Sequence, residues 1–120
     1  MVLQSKLKKA TELILLVLVY GLCIALASAL WAYPVKLTGC YVLISIFTLL
    51  KWHTRVDVVS YAAAAVLGPL GEAFAVHFGA WAYTKSSFLI PVWLPLLWGI
   101  AGFFLRRLTW TVTGMQRNQA

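Results

Sequence analysis

From Leu13 to Ala32 the chain runs without a single charged side chain. A helix needs about 20 consecutive apolar residues to cross the hydrocarbon of a bilayer. Backbone polar groups in lipid must be satisfied within the segment or within a closed barrel, so one such run reads as a spanning helix. Three more apolar stretches follow: Val35–Leu50, Val58–Ala82 and Phe88–Leu105. The second is short, with Lys36 near its start able to reach outward along its own methylenes. The third is interrupted by Pro69, Glu72 and His77, and the fourth contains Pro91 and Pro95. The expected fold is therefore all-α, a four-helix transmembrane bundle with spans at about 13–32, 35–50, 58–82 and 88–105, forming one integral membrane domain over residues 1–120. The connections Tyr33-Pro34, Lys51–Asp57 and Tyr83–Ser87 are short, which predicts that successive helices are antiparallel neighbours. The first residues and Gly114–Ala120 are expected to be loosely ordered tails.

Composition supports this reading. Hydrophobic residues make up 62% of the chain and charged residues 11%, against about 25% charged in soluble domains. So few charges cannot coat a surface that faces water. The net charge is +7, but the basic residues sit at the ends of apolar runs and not in a stripe interleaved with aromatics, which excludes the footprint of a nucleic-acid-binding protein. Lys6, Lys8, Lys9, Lys51, Arg55, Arg106, Arg107 and Arg117 fall on one side of a four-span arrangement, with only Lys36 and Lys85 on the other. This bias predicts both termini inside, N-in and C-in, in a multi-pass protein of the inner (plasma) membrane with lipids as its partners. Trp31, Tyr33, Trp81 and Tyr83 are expected near the outer interface, and Trp52 and Trp110 near the inner one. Lys6, Lys8 and Lys9 before the first run, with Ala27-Ser28-Ala29 late in it, also resemble a signal peptide. The length of the run, that of a full span, favours an uncleaved anchor.

Glu72 stands out because a carboxylate within a span is costly, about 2.5–3.5 kcal/mol on insertion scales, and such residues usually face the bundle interior. Tyr61, Ala65, Gly68, Glu72, Ala75 and Gly79 recur at spacings of four and three, hence on one helical face. That face is mostly small, so a second helix can approach it closely. Pro69, flanked by Gly68 and Gly71, leaves a backbone carbonyl without its donor and predicts a kink with room for a ligand or water. Pro91, Pro95, Trp98 and Gly102 share a face of the fourth span, which places Pro95 and Trp98 near the level of Glu72. His77 lies five residues beyond Glu72, off its face, with Trp81 one turn further on. The candidate binding residues are Glu72, His77, Trp81, Tyr83, Pro95 and Trp98. Trp93 reads as an interfacial anchor. Asp57 reads as a cap of the third helix and Glu12 as a residue at the start of the first. Cys23 and Cys40 read as packing thiols. His53 and His77 belong to opposite ends of the bundle, so no metal or haem site follows, and no pattern calls for a cofactor.

The stretch Gly68–Phe103 contains a Glu, then Gly-x-Trp-x-Tyr, then Pro-x-x-x-Pro-x-x-Trp. It resembles small bacterial multi-span families of unknown function. More loosely, it is similar to the membrane proteins of bacterial carotenoid biosynthesis related to lycopene cyclases. That resemblance implies an isoprenoid ligand, with Glu72, Trp81, Tyr83, Pro91 and Trp98 as matching positions. Glu72 is followed by Ala73 where a lycopene cyclase carries a paired acidic motif, so the resemblance also implies a second subunit. In architecture the chain is similar to the small multidrug-resistance transporters, which have four spans and one membrane Glu, placed there in the first span. Three functional readings follow. The first is a protein that binds or processes a lipid or isoprenoid in an outer-half pocket around Glu72. The second is a proton-coupled transporter subunit working as a homodimer. The third is a non-catalytic accessory or assembly subunit of a membrane complex.

Overall fold

A computed structural model describes residues 2–83 and 90–113. Lys85, the expected start of the fourth span at Phe88, Arg117 and the segment 114–120 lie outside the described residues. The described chain is all-helical: α1 (Val2–Leu30), α2 (Pro34–Lys51), α3 (Arg55–His77) and α4 (Leu94–Thr113). The helix boundaries have local causes. Leu30 accepts a bond from the Tyr33 N–H at 2.9 Å, and Pro34 opens α2 at a position where a missing N–H has no consequence. Thr54 caps α3, and its hydroxyl accepts from the Asp57 N–H at 3.2 Å while the Asp57 carboxylate accepts from the Thr54 N–H at 3.1 Å. This reciprocal pair is a capping box, so Thr54 is the cap and Asp57 its partner in the first turn. At the other end of α3, Gly79 has a φ of 86°. Its N–H bonds Val76 at 3.0 Å, and the Ala80 N–H bonds Ala75 at 2.9 Å. That is a Schellman ending, which a glycine in the left-handed region makes possible. It stops the helix at His77, five residues before the expected end of the third span.

Three helices, Leu3–Leu30, Pro34–Lys51 and Arg55–His77, are long and apolar enough to cross a membrane. The fourth falls outside that group because Arg106 and Arg107 lie within it. Helix α4 also begins at Leu94, so Pro91 precedes it and shares no helical face with Pro95, which lies in the first turn. The expected loose N-terminus is instead the beginning of α1, which puts Glu12 well inside that helix.

The packing order differs from the simple neighbour rule. Helix α4 contacts α1, α2 and α3, whereas α2 and α3 scarcely approach each other. Although few residues join α2 to α3, α4 is inserted between α3 and the α1–α2 pair. The reason lies in the small residues. A Cβ placed on Gly99 would lie 2.7 Å from the Tyr61 ring of α3. A Cβ on Gly102 would collide with Ala64, and one on Gly68 would fall within the Trp98 indole. Glycine thus permits α3 and α4 to approach more closely than any other pair, the kind of contact that small residues allow between apolar helices.

Two apolar clusters lie along the bundle. One gathers Cys23, Leu37, Tyr41, Trp93, Leu94 and Ile100. The other gathers Leu16, Trp52, Phe103 and Phe104. Trp93 is therefore a core residue and not an interfacial anchor: it is 7% exposed and edge-on to Tyr41 and Tyr83. Tyr61 touches both clusters and its hydroxyl pairs with Ser45 at 2.6 Å. The exterior is apolar as well, with Leu18, Leu43, Leu67, Phe74 and Phe78 all well exposed. Lys9 Nζ donates to the Val112 carbonyl at 3.4 Å, so the start of α1 and the end of α4 share one end of the bundle.

Candidate functional site

The chain contains three acidic residues, and they sit in two polar clusters. Glu72 projects from α3 toward α4. One of its oxygens accepts from the Tyr83 hydroxyl and the other from the Trp98 indole N–H. Position follows from sequence here. Gly68 lies one turn before Glu72 and leaves the space that the Trp98 ring occupies. The Gly79 ending then turns the chain so that Tyr83 can return to the carboxylate. Glu72 and Tyr83 are partly buried, and Trp98 is 37% exposed. The arrangement is a carboxylate at a helix seam, bounded by two aromatic donors and open on its indole side.

Of the six candidate residues, Glu72, Tyr83 and Trp98 are in direct contact. Trp81 lies two residues before Tyr83 and beyond the end of α3, so it shares no helical face with His77. His77 is exposed and edge-on to Phe78, with ring centroids 5.0 Å apart. Pro95 is half-buried in the first turn of α4, one turn before Trp98. Pro69 is buried within a continuous α3. His53 is exposed at the opposite end, its Nδ1 3.1 Å from the Leu50 carbonyl.

The second cluster was missed at the sequence level, where its members read as topogenic charges, caps and interfacial anchors. Asp57 is fully buried and binds both arginines of α4. Arg107 Nη2 lies 2.9 Å from Asp57 Oδ2, and its Nε lies 3.3 Å from Oδ1. The same guanidinium reaches Glu12 of α1, with Nη1 at 2.8 Å from Oε1. Glu12 also accepts from the Trp52 indole at 3.1 Å and the Thr111 hydroxyl at 2.5 Å. Trp52 is 6% exposed, so it is a buried donor and not an interfacial anchor. The Arg106 guanidinium carbon lies 3.4 Å from the Trp110 ring centroid, and Arg106 Nε and Nη2 have no partner among the described residues. A signal for this cluster existed: Asp57 starts α3, Arg106 and Arg107 come late in α4, and two antiparallel helices bring those ends together. Beside the cluster opens a cavity of about 510 Å³. Lys8 and Lys51 stand at its edge, Leu15 and Trp52 supply apolar wall, and Glu12 and Arg107 close it.

No protein-family model, curated protein or solved structure matches this chain. The site must therefore be read from its own chemistry. Among the described residues no group of three His, Cys, Asp or Glu side chains is placed to hold a metal ion. What Glu72, Tyr83 and Trp98 can do together is accept and orient a hydroxyl or amine at an apolar surface, with the indole as a flat contact.

Proposed function

We propose that the protein is a multi-pass membrane protein of the inner (plasma) membrane that binds a lipid or isoprenoid at the α3–α4 seam around Glu72. The observation that carries this reading is the placement of a carboxylate with two aromatic donors on an otherwise apolar exterior, beside a partly exposed indole. An ionisable residue in such surroundings marks a binding path more often than it marks surface. A ligand hydroxyl would compete with the Trp98 N–H or the Tyr83 hydroxyl for a carboxylate oxygen, while its hydrocarbon lay along the exposed part of the Trp98 indole. The loose likeness to carotenoid-biosynthesis membrane proteins, which involves Glu72, Tyr83 and Trp98, agrees with an isoprenoid as the apolar part.

The accessory-subunit reading is favoured by one specific feature: both Glu72 oxygens already have partners within the chain. On that reading the cluster is glue between α3 and α4, and the partner is a second membrane subunit or another copy. Native mass spectrometry of gently extracted protein, wild type beside Glu72→Gln, separates the two. A neutral lipid or pigment retained by the wild type and lost in the variant is the expected result. No ligand in either protein, with a complex that dissociates only in the variant, would give the accessory reading precedence.

A further inference from the structure

We propose that the cavity at the basic end of the bundle, between α1, α2 and α4, is a site for a phosphate-bearing anion, filled in the membrane by the headgroup of an anionic phospholipid. The inference rests on the membrane placement proposed above but not on the role of Glu72, which lies in the other half of α3.

The argument starts from the charges that face the cavity. Glu12 and Arg107 both line it, yet they are committed to each other at 2.8 Å. Arg107 is committed further to Asp57 at 2.9 Å. Trp52 and Thr111 donate to the Glu12 oxygens as well, so three donors already engage the acid. Lys8 and Lys51 are different. Both are exposed, and neither forms an ion pair among the described residues. Lys51 Nζ lies 5.4 Å from the Trp52 ring centroid, which holds it over the cavity wall by a cation–π contact. The field at the mouth is therefore that of two uncompensated ammonium groups, contributed by two different helices.

The walls complete the case. Leu15 and the face of Trp52 are apolar and continue into the buried cluster of Leu16, Phe103 and Phe104. A cationic mouth over an apolar wall matches a phosphodiester with its glycerol and the first methylenes of its chains. A volume of about 510 Å³ falls within the range of roughly 300–1,000 Å³ usual for small-molecule sites. In the proposed topology this end faces the cytoplasmic leaflet, where anionic lipids concentrate and attract basic segments.

Lys8 and Lys51 take no part in the Glu12–Asp57–Arg107 network, so both can be changed with the bundle intact. The test uses full-length protein in nanodiscs of phosphatidylcholine, with and without phosphatidylglycerol, and reads lipid retained on native mass spectrometry together with thermal stability. Wild type is expected to retain phosphatidylglycerol in preference to phosphatidylcholine. The Lys8→Gln/Lys51→Gln variant should bind it about thirtyfold more weakly, at the usual contribution of a cation near an anionic surface. Its stability in pure phosphatidylcholine should be unchanged. Lys8→Arg/Lys51→Arg should restore binding, and Lys6→Gln/Arg55→Gln, which removes equal charge outside the cavity, should leave it intact. Glu72→Gln should also leave it intact, so failure at one site is distinguishable from failure at the other. Stabilisation in pure phosphatidylcholine by inorganic phosphate alone, abolished in Lys8→Gln/Lys51→Gln, would keep the anion site and identify free phosphate as its source. Equal retention by wild type and Lys8→Gln/Lys51→Gln would overturn the proposal. Equal loss in the two glutamine pairs would also overturn it, leaving only the bulk charge of the basic end.

Discussion

At the scale of single residues, the most exacting contact is between Gly68 and Trp98. The indole occupies the place of the missing Cβ, so Gly68→Ala must push the ring away and break its bond to Glu72. Overpacking of this kind costs about 1–3 kcal/mol. Gly71, one position before Glu72, has nothing within 4 Å of its would-be Cβ. Gly71→Ala should be neutral or stabilise α3 by roughly 0.5–1 kcal/mol, the usual gain of alanine over glycine in a helix. Unfolding of the two variants in mixed micelles, followed by tryptophan fluorescence, checks both signs. A Gly68→Ala protein as stable as Gly71→Ala, with unchanged fluorescence, would mean that Trp98 does not sit in the seam. Sequence could single out Glu72, because a carboxyl in an apolar run is conspicuous. It could also group Gly68 with it by helical spacing. It also placed Trp98 at the level of Glu72, but it missed that Trp93 enters the core, because that depends on where α4 starts. Leu94 opens that helix, four residues before Trp98, and the preceding Pro91-Val92-Trp93 turns Trp93 into the cluster with Tyr41.

At the scale of elements, α4 is the helix against which the other three pack, and the Asp57–Arg106–Arg107–Glu12 cluster ties its later half to α1 and α3. Breaking a buried ion pair by removing one partner costs about 3–5 kcal/mol, because the remaining charge is left without compensation. Asp57→Ala leaves the Arg106 guanidinium without an acidic partner and Arg107 with Glu12 alone, and should destabilise by an amount in this range. Thr54→Ala removes only the cap of α3 and should cost about 1 kcal/mol. Chemical unfolding of the two variants side by side measures the difference. Comparable losses would reduce Asp57 to its capping role and remove the cluster as the tie between helices. The four helices were legible in the sequence as apolar runs, and the bounds of α2 nearly so. The insertion of α4 between α3 and the α1–α2 pair was not, because neighbour rules follow connection length while the packing follows the glycines Gly99 and Gly102. The ion cluster stayed hidden for a related reason. Charges at the ends of apolar runs look topogenic one by one, and only helix order reveals that Asp57, Glu12 and Arg107 meet.

At the scale of the whole molecule, the number of membrane crossings depends on α4. By length and composition three helices suffice to cross, and three crossings would leave the chain ends on opposite sides. The multi-pass reading proposed above takes four, and it is supported by two features of the bundle. The start of α1 and the end of α4 are joined by the Lys9–Val112 bond, and α4 runs antiparallel to α3 from the Trp98–Glu72 contact to the Arg107–Asp57 pair. Arg106 and Arg107 lower the hydropathy of α4, yet both are paired with Asp57, and Arg107 also with Glu12. Paired in this way near a helix end, they do not forbid a crossing. The expectation is that a reporter fused after Ala120 is cytoplasmic. In a protein whose Cys23 and Cys40 have been replaced, Tyr33→Cys should react with a membrane-impermeant maleimide in intact cells. His53→Cys should react only after lysis. Both positions are exposed in the structure, so differences in labelling report the side of the membrane and not burial. A periplasmic reporter with Tyr33→Cys still labelled from outside would reduce the crossings to three. It would leave α4 lying against the bundle without traversing the bilayer, and the Glu72 seam would then have to open to an aqueous phase instead of to lipid.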